Sequence, residues 1–296
     1  MALHDSLIYS KNVNDLFTDE AMVGAMLRFE AVLAEAQGNC KLTPTPSVKS
    51  IQNSCKTEFI DIQKLKQDTV RAGNPAIPLV KQLIQIVKKH DVEAAKYVHN
   101  GATSQDVIDT AMVLQLQKAF TFFETHLADL QRHLIYMCQT HRSTLMIGRT
   151  LLQQARPITF GLKTAMWLDG ILRSIERLKE TKKRVLVLQF GGAVGSLAGM
   201  DGKGLEVAEE MVKILNLTKS EIATPSVSWH TQRDRLVEKA CKTAISEKKH
   251  LKTVLEKEDI VVQNIPPSVL NDLFDPKNAI GLTEALIDRV LDFLQK

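Results

Sequence analysis

One short stretch of the chain concentrates residues that could do chemistry. Positions 97–110 read Tyr-Val-His-Asn-Gly-Ala-Thr-Ser-Gln-Asp-Val-Ile-Asp-Thr, and a long apolar-periodic segment follows. Thr103 and Asp106 have the Ser/Thr-x-x-Asp/Glu form of a capping box, so a helix should begin here with Thr103 or Ser104 as its cap. A helix N-terminus favours carboxylate or phosphate ligands, and His99, which titrates near neutral pH, lies just before it. The pattern predicts an anion site, although a helix cap beside a surface histidine would look the same.

A second polar stretch lies at Ile147–Pro157, between two long helical patterns. It contains Arg149, Thr150, Gln153 and Gln154. We interpret it as a polar turn that could line a ligand site, or equally as an ordinary helix–helix connection.

The segment Gln189–Gly204 is rich in glycine. Gly191, Gly195 and Gly199 are four residues apart, as in close helix–helix contacts. A phosphate-binding loop is the alternative, but no strand pattern precedes the segment and no Gly-Lys-Ser/Thr follows it. We therefore favour a packing role.

The helix that must carry the first stretch is long. Apolar residues at Val113, Leu116, Phe120, Phe123, Leu127, Leu130, Leu134 and Met137 alternate in steps of three and four. A helix from Ser104 to about Arg142 would measure roughly 58 Å at 1.5 Å per residue. Such a helix predicts an elongated bundle, in an oligomer that covers the remaining apolar surface.

The rest of the chain also reads as helical. We expect helices near 18–37, 47–55, 60–70, 79–89, a second long one starting near Pro157, and 205–215, followed by pieces at 237–255, 267–273 and 281–294. Strand patterns are nearly absent, so the predicted class is all-α. We divide the chain into an N-terminal helical region (1–100), an incomplete central bundle (101–236) and a C-terminal helical region (237–296).

Composition narrows the function classes. Apolar residues make up 44% and aromatic residues 5% of the 296 residues, which suits helices packed through aliphatic side chains. The net charge of +4 is too small and dispersed to imply a nucleic-acid partner. The four cysteines lack zinc-ligand spacing, and we see neither a signal peptide nor a membrane-spanning run. We expect a cytoplasmic protein with no bound metal.

Four motifs resemble one family. The stretch 97–106 resembles the first signature loop of the fumarase/aspartase superfamily. The segments 72–80, 148–161 and 229–235 resemble the corresponding segments of its 3-carboxy-cis,cis-muconate cycloisomerase branch more than those of adenylosuccinate lyase or fumarase. The similarity runs from about Leu16 to the C-terminus, and the motifs occur in the family's order.

The resemblance implies a fold, an activity and an assembly. It implies a long-helix bundle in a homotetramer and an enzyme of aromatic-acid catabolism, in the protocatechuate and β-ketoadipate route, that forms a lactone from a small polycarboxylate. It implies no metal or organic cofactor. The chemistry needs carboxylate anchors, donors for enolate-like charge and one acid/base group.

The resemblance also implies roles for particular residues. The catalytic candidates are His99, Thr150 and His230. The substrate-binding candidates are Asn74, Thr103, Ser104, Gln154 and Arg233.

The sequence departs from its relatives at two places. Lyases of the superfamily have histidine after Gly-Arg-Thr, where this chain has Leu151. The flexible loop resembling Gly-Ser-Ser-x-Met-Pro-x-Lys-x-Asn-Pro, which supplies the catalytic serine in relatives, is missing between Arg235 and Val237-Glu238. A truncated gene product, an engineered deletion or a numbering that runs on across missing residues would each give this sequence.

Three functions are therefore in competition. The resemblance favours a cycloisomerase whose activity in this chain is doubtful. The alternatives are a fumarate-forming lyase of the adenylosuccinate lyase kind, which Leu151 disfavours, and a non-catalytic helical scaffold, which the missing loop favours.

Overall fold

A computed structural model describes residues 10–218, 256 and 266–273. The helices in these residues are α1 (Lys11–Asn14), α2 (Asp19–Asn39), α3 (Thr45–Ser54), α4 (Ile62–Ala72), α5 (Ala76–His90), α6 (Ser104–Thr140), α7 (Phe160–Val185), α8 (Gly204–Leu215) and α9 (Pro267–Leu273). Short 3₁₀ turns lie at Asp15–Phe17, Thr57–Phe59 and Ala94–Tyr97. Two strands, β1 (Leu145–Thr150) and β2 (Gln153–Thr159), form one antiparallel hairpin.

The predicted all-α class is confirmed. Most predicted helices are present within a few residues of the expected bounds, including α9, whereas the pieces predicted at 237–255 and 281–294 lie outside the described residues. Among the described residues, none of the helices combines the length and the apolar character that a membrane span requires.

The chain forms two compact units, each from two stretches. The first contains Met1–Ala25 and Ala111–Val187, and the second contains Met26–Thr110 and Leu188–Lys296. The three-region division at 100 and 236 stays a prediction, because its second boundary lies outside the described residues.

The second unit has an apolar core drawn from its own helices. Its largest fully buried side chains include Met26, Leu27, Phe29 and Leu33 of α2, Ile51 of α3, Leu79 and Leu83 of α5, Met200, and Met211 of α8. The ring of Phe29 lies 6.4 Å from that of Phe190, centroid to centroid. Side chains of the same helix α2 also contact the first signature loop.

The first unit contains most of α6, the hairpin and α7. Along the predicted apolar seam of α6, Phe120 and Leu134 are buried, but Phe123 and Leu130 remain more than two-fifths exposed. On α7, Met166 and Trp167 are also exposed. The unit therefore presents a row of apolar side chains that its own residues leave partly uncovered.

The hairpin corrects two expectations. Ile147–Pro157 is not a polar turn between helices, because Leu145 pairs with Thr159 and Ile147 with Pro157 across two strands. The second long helix begins at Phe160, so Pro157 is not in its first turn, and the Thr159 hydroxyl accepts the Leu162 N–H as its cap. Pro157 lies in a strand, where its fixed φ is tolerated although it cannot donate a ladder hydrogen bond.

Candidate functional site

The long helix α6 begins where the capping pattern predicts. Its first residue is Ser104, and the side chains of Thr103 and Ser104 are both buried. The Asp106 carboxylate reaches back and accepts the Thr103 N–H at 3.0 Å, which is the acidic half of a capping box. The helix start is thus fixed by a buried carboxylate three residues into the helix.

Asp106 also binds the glycine-rich segment. Its two oxygens accept the backbone N–H of Gly191 at 3.0 Å and of Gly192 at 2.9 Å. One turn further along α6, the Thr110 hydroxyl donates to the Gln189 carbonyl at 2.8 Å. Burial raises the pKa of Asp106 to about 6, although the three backbone N–H donors oppose that rise. Asp106 therefore joins the signature loop to a segment 85 residues away.

The glycine-rich segment packs as a turn and not as a helix, which corrects the expected helix–helix contact. Gly192, Gly195 and Gly199 all have positive φ. A Cβ on Gly192 would lie 2.9 Å from the Gly101 carbonyl oxygen, and a Cβ on Gly101 would lie 2.8 Å from Met200. The two loops therefore approach so closely that only glycine fits at both positions.

His99 is held by a hydrogen bond to a side chain of α2. Its Nδ1 lies 2.7 Å from Oε1 of Glu30, a buried residue in the middle of that helix. Burial lowers the pKa of His99, but the negative charges of Glu30 and Asp106 and the Glu30 hydrogen bond outweigh this and raise it above its usual value. The neighbouring Asn100 carbonyl accepts a hydrogen bond from the Gln37 side chain at 2.7 Å.

Asn74 caps a helix. Its Oδ1 accepts the N–H groups of Ala76 and Ile77, each at 3.1 Å, at the start of α5. Its side-chain oxygen is therefore engaged with the backbone, and only its amide N–H groups could be offered to a ligand.

The remaining candidates are placed differently. Thr150 and Gln154 belong to the first unit, where they pair with Gln153 and Arg149 across the hairpin and are exposed. His230 and Arg233 lie outside the described residues. Among the candidates, the second unit thus brings together His99, Thr103 and Ser104 in one loop and holds Asn74 at the start of α5.

Sequence reasoning missed the residues that hold this loop, although one signal was available. Glu30 and Gln37 fall on the same helix face as the apolar residues Met26 and Leu33, spaced by four, three and four residues. A polar residue at a core position of an amphipathic helix usually has a buried partner. Among the described residues, no group of three or more His, Cys, Asp or Glu side chains could hold a metal ion.

Comparison with known proteins places the chain in a family. Residues 8–281 match the family described as Lyase. The chain belongs to the lyase family. Its resemblance to the fumarase/aspartase superfamily and to the cycloisomerase branch is confirmed by the relatives that follow.

This chain is similar in sequence to two curated relatives and in sequence and structure to one solved protein. The chain is 42% identical over 238 residues to the 3-carboxy-cis,cis-muconate cycloisomerase of Acinetobacter baylyi, covering 80% of this chain and 52% of that protein. It is 30% identical over 286 residues to the adenylosuccinate lyase of Methanocaldococcus jannaschii, covering 95% of this chain and 59% of that protein. The crystal structure of the 3-carboxy-cis,cis-muconate lactonizing enzyme from Pseudomonas putida superposes with a TM-score of 0.70 at 40% identity, covering 88% of this chain and 58% of that one.

The chain therefore spans about half the length of the curated cycloisomerase that it matches.

Proposed function

We propose that this lyase-family chain binds 3-carboxy-cis,cis-muconate and belongs to an enzyme that interconverts it with a carboxymuconolactone. The observation that carries the proposal is 42% identity over 238 residues to a cycloisomerase of that name, which includes the loop holding His99, Thr103 and Ser104. In this reaction a substrate carboxylate adds across a double bond, and a neighbouring carbon gains a proton.

The start of α6 supplies a carboxylate anchor. The first turn of a helix has N–H groups without intrahelical partners and carries roughly half a positive charge. Thr103 and Ser104 bring two hydroxyl groups to that turn. His99, whose pKa the charges of Glu30 and Asp106 raise, adds a side chain whose charged form can donate to a carboxylate. We assign the anchoring of one substrate carboxylate to Thr103 and Ser104, with His99 beside them.

The remaining roles follow the family resemblance. We propose that Thr150 and His230 act with His99 in catalysis, and that Asn74, Gln154 and Arg233 bind the other carboxylates. Donors placed where charge develops stabilise an enolate-like transition state. No organic cofactor is required for this chemistry.

The missing serine loop limits the activity of a polypeptide with only these 296 residues. Removing one acid/base group costs roughly 10²–10⁴-fold in rate, and the loop would also carry binding groups. We propose weak binding of muconate-like acids with little or no turnover. An adenylosuccinate lyase function is disfavoured because Leu151 stands where those lyases have histidine.

We further propose that copies of this chain assemble into a homo-oligomer, a tetramer by the family resemblance. The support is the partly uncovered apolar row on α6 and α7, which includes Phe123, Leu130 and Trp167. Analytical ultracentrifugation at micromolar concentration tests this, and a stable monomer would contradict it.

The function is tested by lactonisation of 3-carboxy-cis,cis-muconate, followed by ultraviolet absorbance on protein of confirmed mass 33.1 kDa. We expect binding with turnover far below about 1 s⁻¹, a rate near the lower end for ordinary enzymes. Turnover above that value would show that the missing loop is not the source of the chemistry.

A further inference from the structure

Glu30 is a carboxylate buried inside an apolar helix face. Its side chain is 1% exposed, and it lies on α2 among the core residues Met26, Phe29 and Leu33. Burying a carboxylate is costly unless it is paired and hydrogen-bonded. Its position therefore calls for a partner, and the partner is His99, 69 residues away in the chain.

Among the described residues, His99 is the hydrogen-bond partner of the Glu30 carboxylate. Oε1 lies 2.7 Å from Nδ1 of His99, while Oε2 is buried and has no hydrogen-bond partner among the described residues. Within the described residues, the contact with His99 is therefore the hydrogen bond that offsets the cost of burying this carboxylate.

The backbone of His99 is shaped to make the same contact. Its φ is +60°, in the left-handed region that non-glycine residues seldom occupy. On either side of it the loop is tied down, by the buried Val98 and by the bond from Gln37 to the Asn100 carbonyl. A strained conformation that the surroundings enforce is common where a side chain must be aimed.

We propose that Glu30 is a positioning residue for His99, holding a proton on Nδ1 so that Nε2 is the ring nitrogen left for a substrate carboxylate, to which it donates as Nε2–H when the ring is charged. In the neutral ring Nδ1–H donates to Glu30 and Nε2 is an acceptor, and in the charged ring Nε2–H becomes a donor. The identity of the ligand rests on the proposed function, whereas the position of the proton on the His99 ring does not.

The charged groups around His99 are few in the described residues. Glu30 of α2 and Asp106 of α6 both raise its pKa, against the effect of burial. Glu30 also acts on Cys55, at the end of α3, since burial and the Glu30 charge raise the pKa of its thiol. Replacing Glu30 by glutamine therefore removes one negative charge from His99 and leaves Asp106 in place.

The ring state can be measured directly in the unmodified protein. Long-range ¹⁵N–¹H correlation spectra of histidine-labelled protein distinguish the two neutral tautomers. The signals of His99 are assigned from their loss in His99→Asn, because asparagine tolerates a left-handed backbone. We expect neutral His99 to carry its proton on Nδ1. A proton on Nε2 would overturn the proposal, and this result needs no Glu30 variant.

Variants separate positioning from a purely structural role. In Glu30→Gln we expect the pKa of His99 to fall and the Nε2–H tautomer to gain population. The matched control is Glu35→Gln on the same helix, whose carboxylate accepts from Gln52 at 3.0 Å. It should leave both quantities unchanged. A His99 titration that is the same in Glu30→Gln and the unmodified protein would contradict the proposal.

Ligand binding gives the second readout, with tricarballylate as the probe. Glu30→Gln should weaken its affinity roughly 10-fold or more, as when a partner that orients a functional histidine is removed. Glu30→Gln should also move the midpoint of the affinity–pH curve to lower pH. Glu30→Asp should restore part of the affinity and part of the shift in midpoint. A purely structural Glu30 would lower the melting temperature without moving that midpoint. If the unmodified protein binds no tricarballylate but His99 carries Nδ1–H, the proposed function fails and the Glu30–His99 assignment is supported.

Discussion

The loop before α6 and the β1–β2 hairpin both carry candidate site residues, but the chain positions them in different ways. The loop is partly buried, and it is tied by Asp106 to the glycine-rich segment and by Glu30 and Gln37 to α2. On the hairpin, Thr150 and Gln154 are exposed, and its tip residue Leu152 is fully exposed.

The two regions therefore differ in how far contacts within the chain fix the positions of their candidate site residues. The carboxylate anchor that we propose at the start of α6 is fixed by contacts inside one compact unit. The hairpin has a defined register but presents its polar side chains to solvent. We infer that the loop is ready to bind an anion, whereas the hairpin residues need a further covering surface before they can act.

The largest expected difference in stability concerns Asp106. Asp106→Ala leaves the N–H groups of Thr103, Gly191 and Gly192 buried without their acceptor. Each orphaned group costs roughly 1–3 kcal/mol, so we expect a loss of about 3 kcal/mol or more in urea unfolding. Gln154→Ala on the hairpin is the control and should change stability by less than about 0.5 kcal/mol. Equal effects of the two substitutions would remove the distinction between the regions.

Gly101 should show a smaller effect of the same sign. Gly101→Ala forces a Cβ into a position with φ of +74°, 2.8 Å from Met200. We expect a loss of about 1–3 kcal/mol in thermal or urea unfolding. Gly170→Ala in α7, where an added Cβ meets nothing within 4 Å, should instead stabilise by roughly 0.5–1 kcal/mol. A neutral Gly101→Ala would mean that the two loops can move apart at little cost.

Substitution at the hairpin tip should raise stability, in contrast to the two substitutions in the loop. Leu151 and Leu152 have φ of +47° and +65°, which a two-residue hairpin loop of the I′ type requires but leucine disfavours. Replacing the pair by Asn-Gly should raise the melting temperature, by roughly 0.5–1 kcal/mol in stability. A fall in stability would show that the two exposed leucines are covered in solution.

Sequence periodicity predicted the helices well because apolar residues recur in them at helical spacing. The face of α2 with Phe29 and Leu33, and the start of α6 at Ser104, follow from apolar spacing and a capping pattern that are local in sequence. Another local cap is formed by Asp91, whose side chain accepts the Ala94 N–H at 2.9 Å.

The hairpin and the supports of the signature loop could not be predicted in the same way. A Leu-Leu turn lacks the Asn or Gly that normally marks a tight hairpin, and Pro157 resembled a helix start. The hydrogen bonds between Glu30 and His99 and between Asp106 and Gly191 join residues 69 and 85 positions apart. Such contacts depend on how the helices pack, so a local pattern does not contain them.

The assignment of the loop as a carboxylate anchor is tested most directly by calorimetric titration with tricarballylate. Thr103→Val keeps the side-chain shape and removes the hydroxyl, and a lost hydrogen bond to a charged group costs roughly 1.5–3 kcal/mol. The control is Thr110→Val in α6, which removes a buried hydroxyl that donates to the Gln189 carbonyl. We expect Thr103→Val to weaken binding roughly 10- to 100-fold, and Thr110→Val to lower the melting temperature but bind like the unmodified protein. Unchanged affinity in Thr103→Val together with a lowered melting temperature would show that Thr103 only caps the helix.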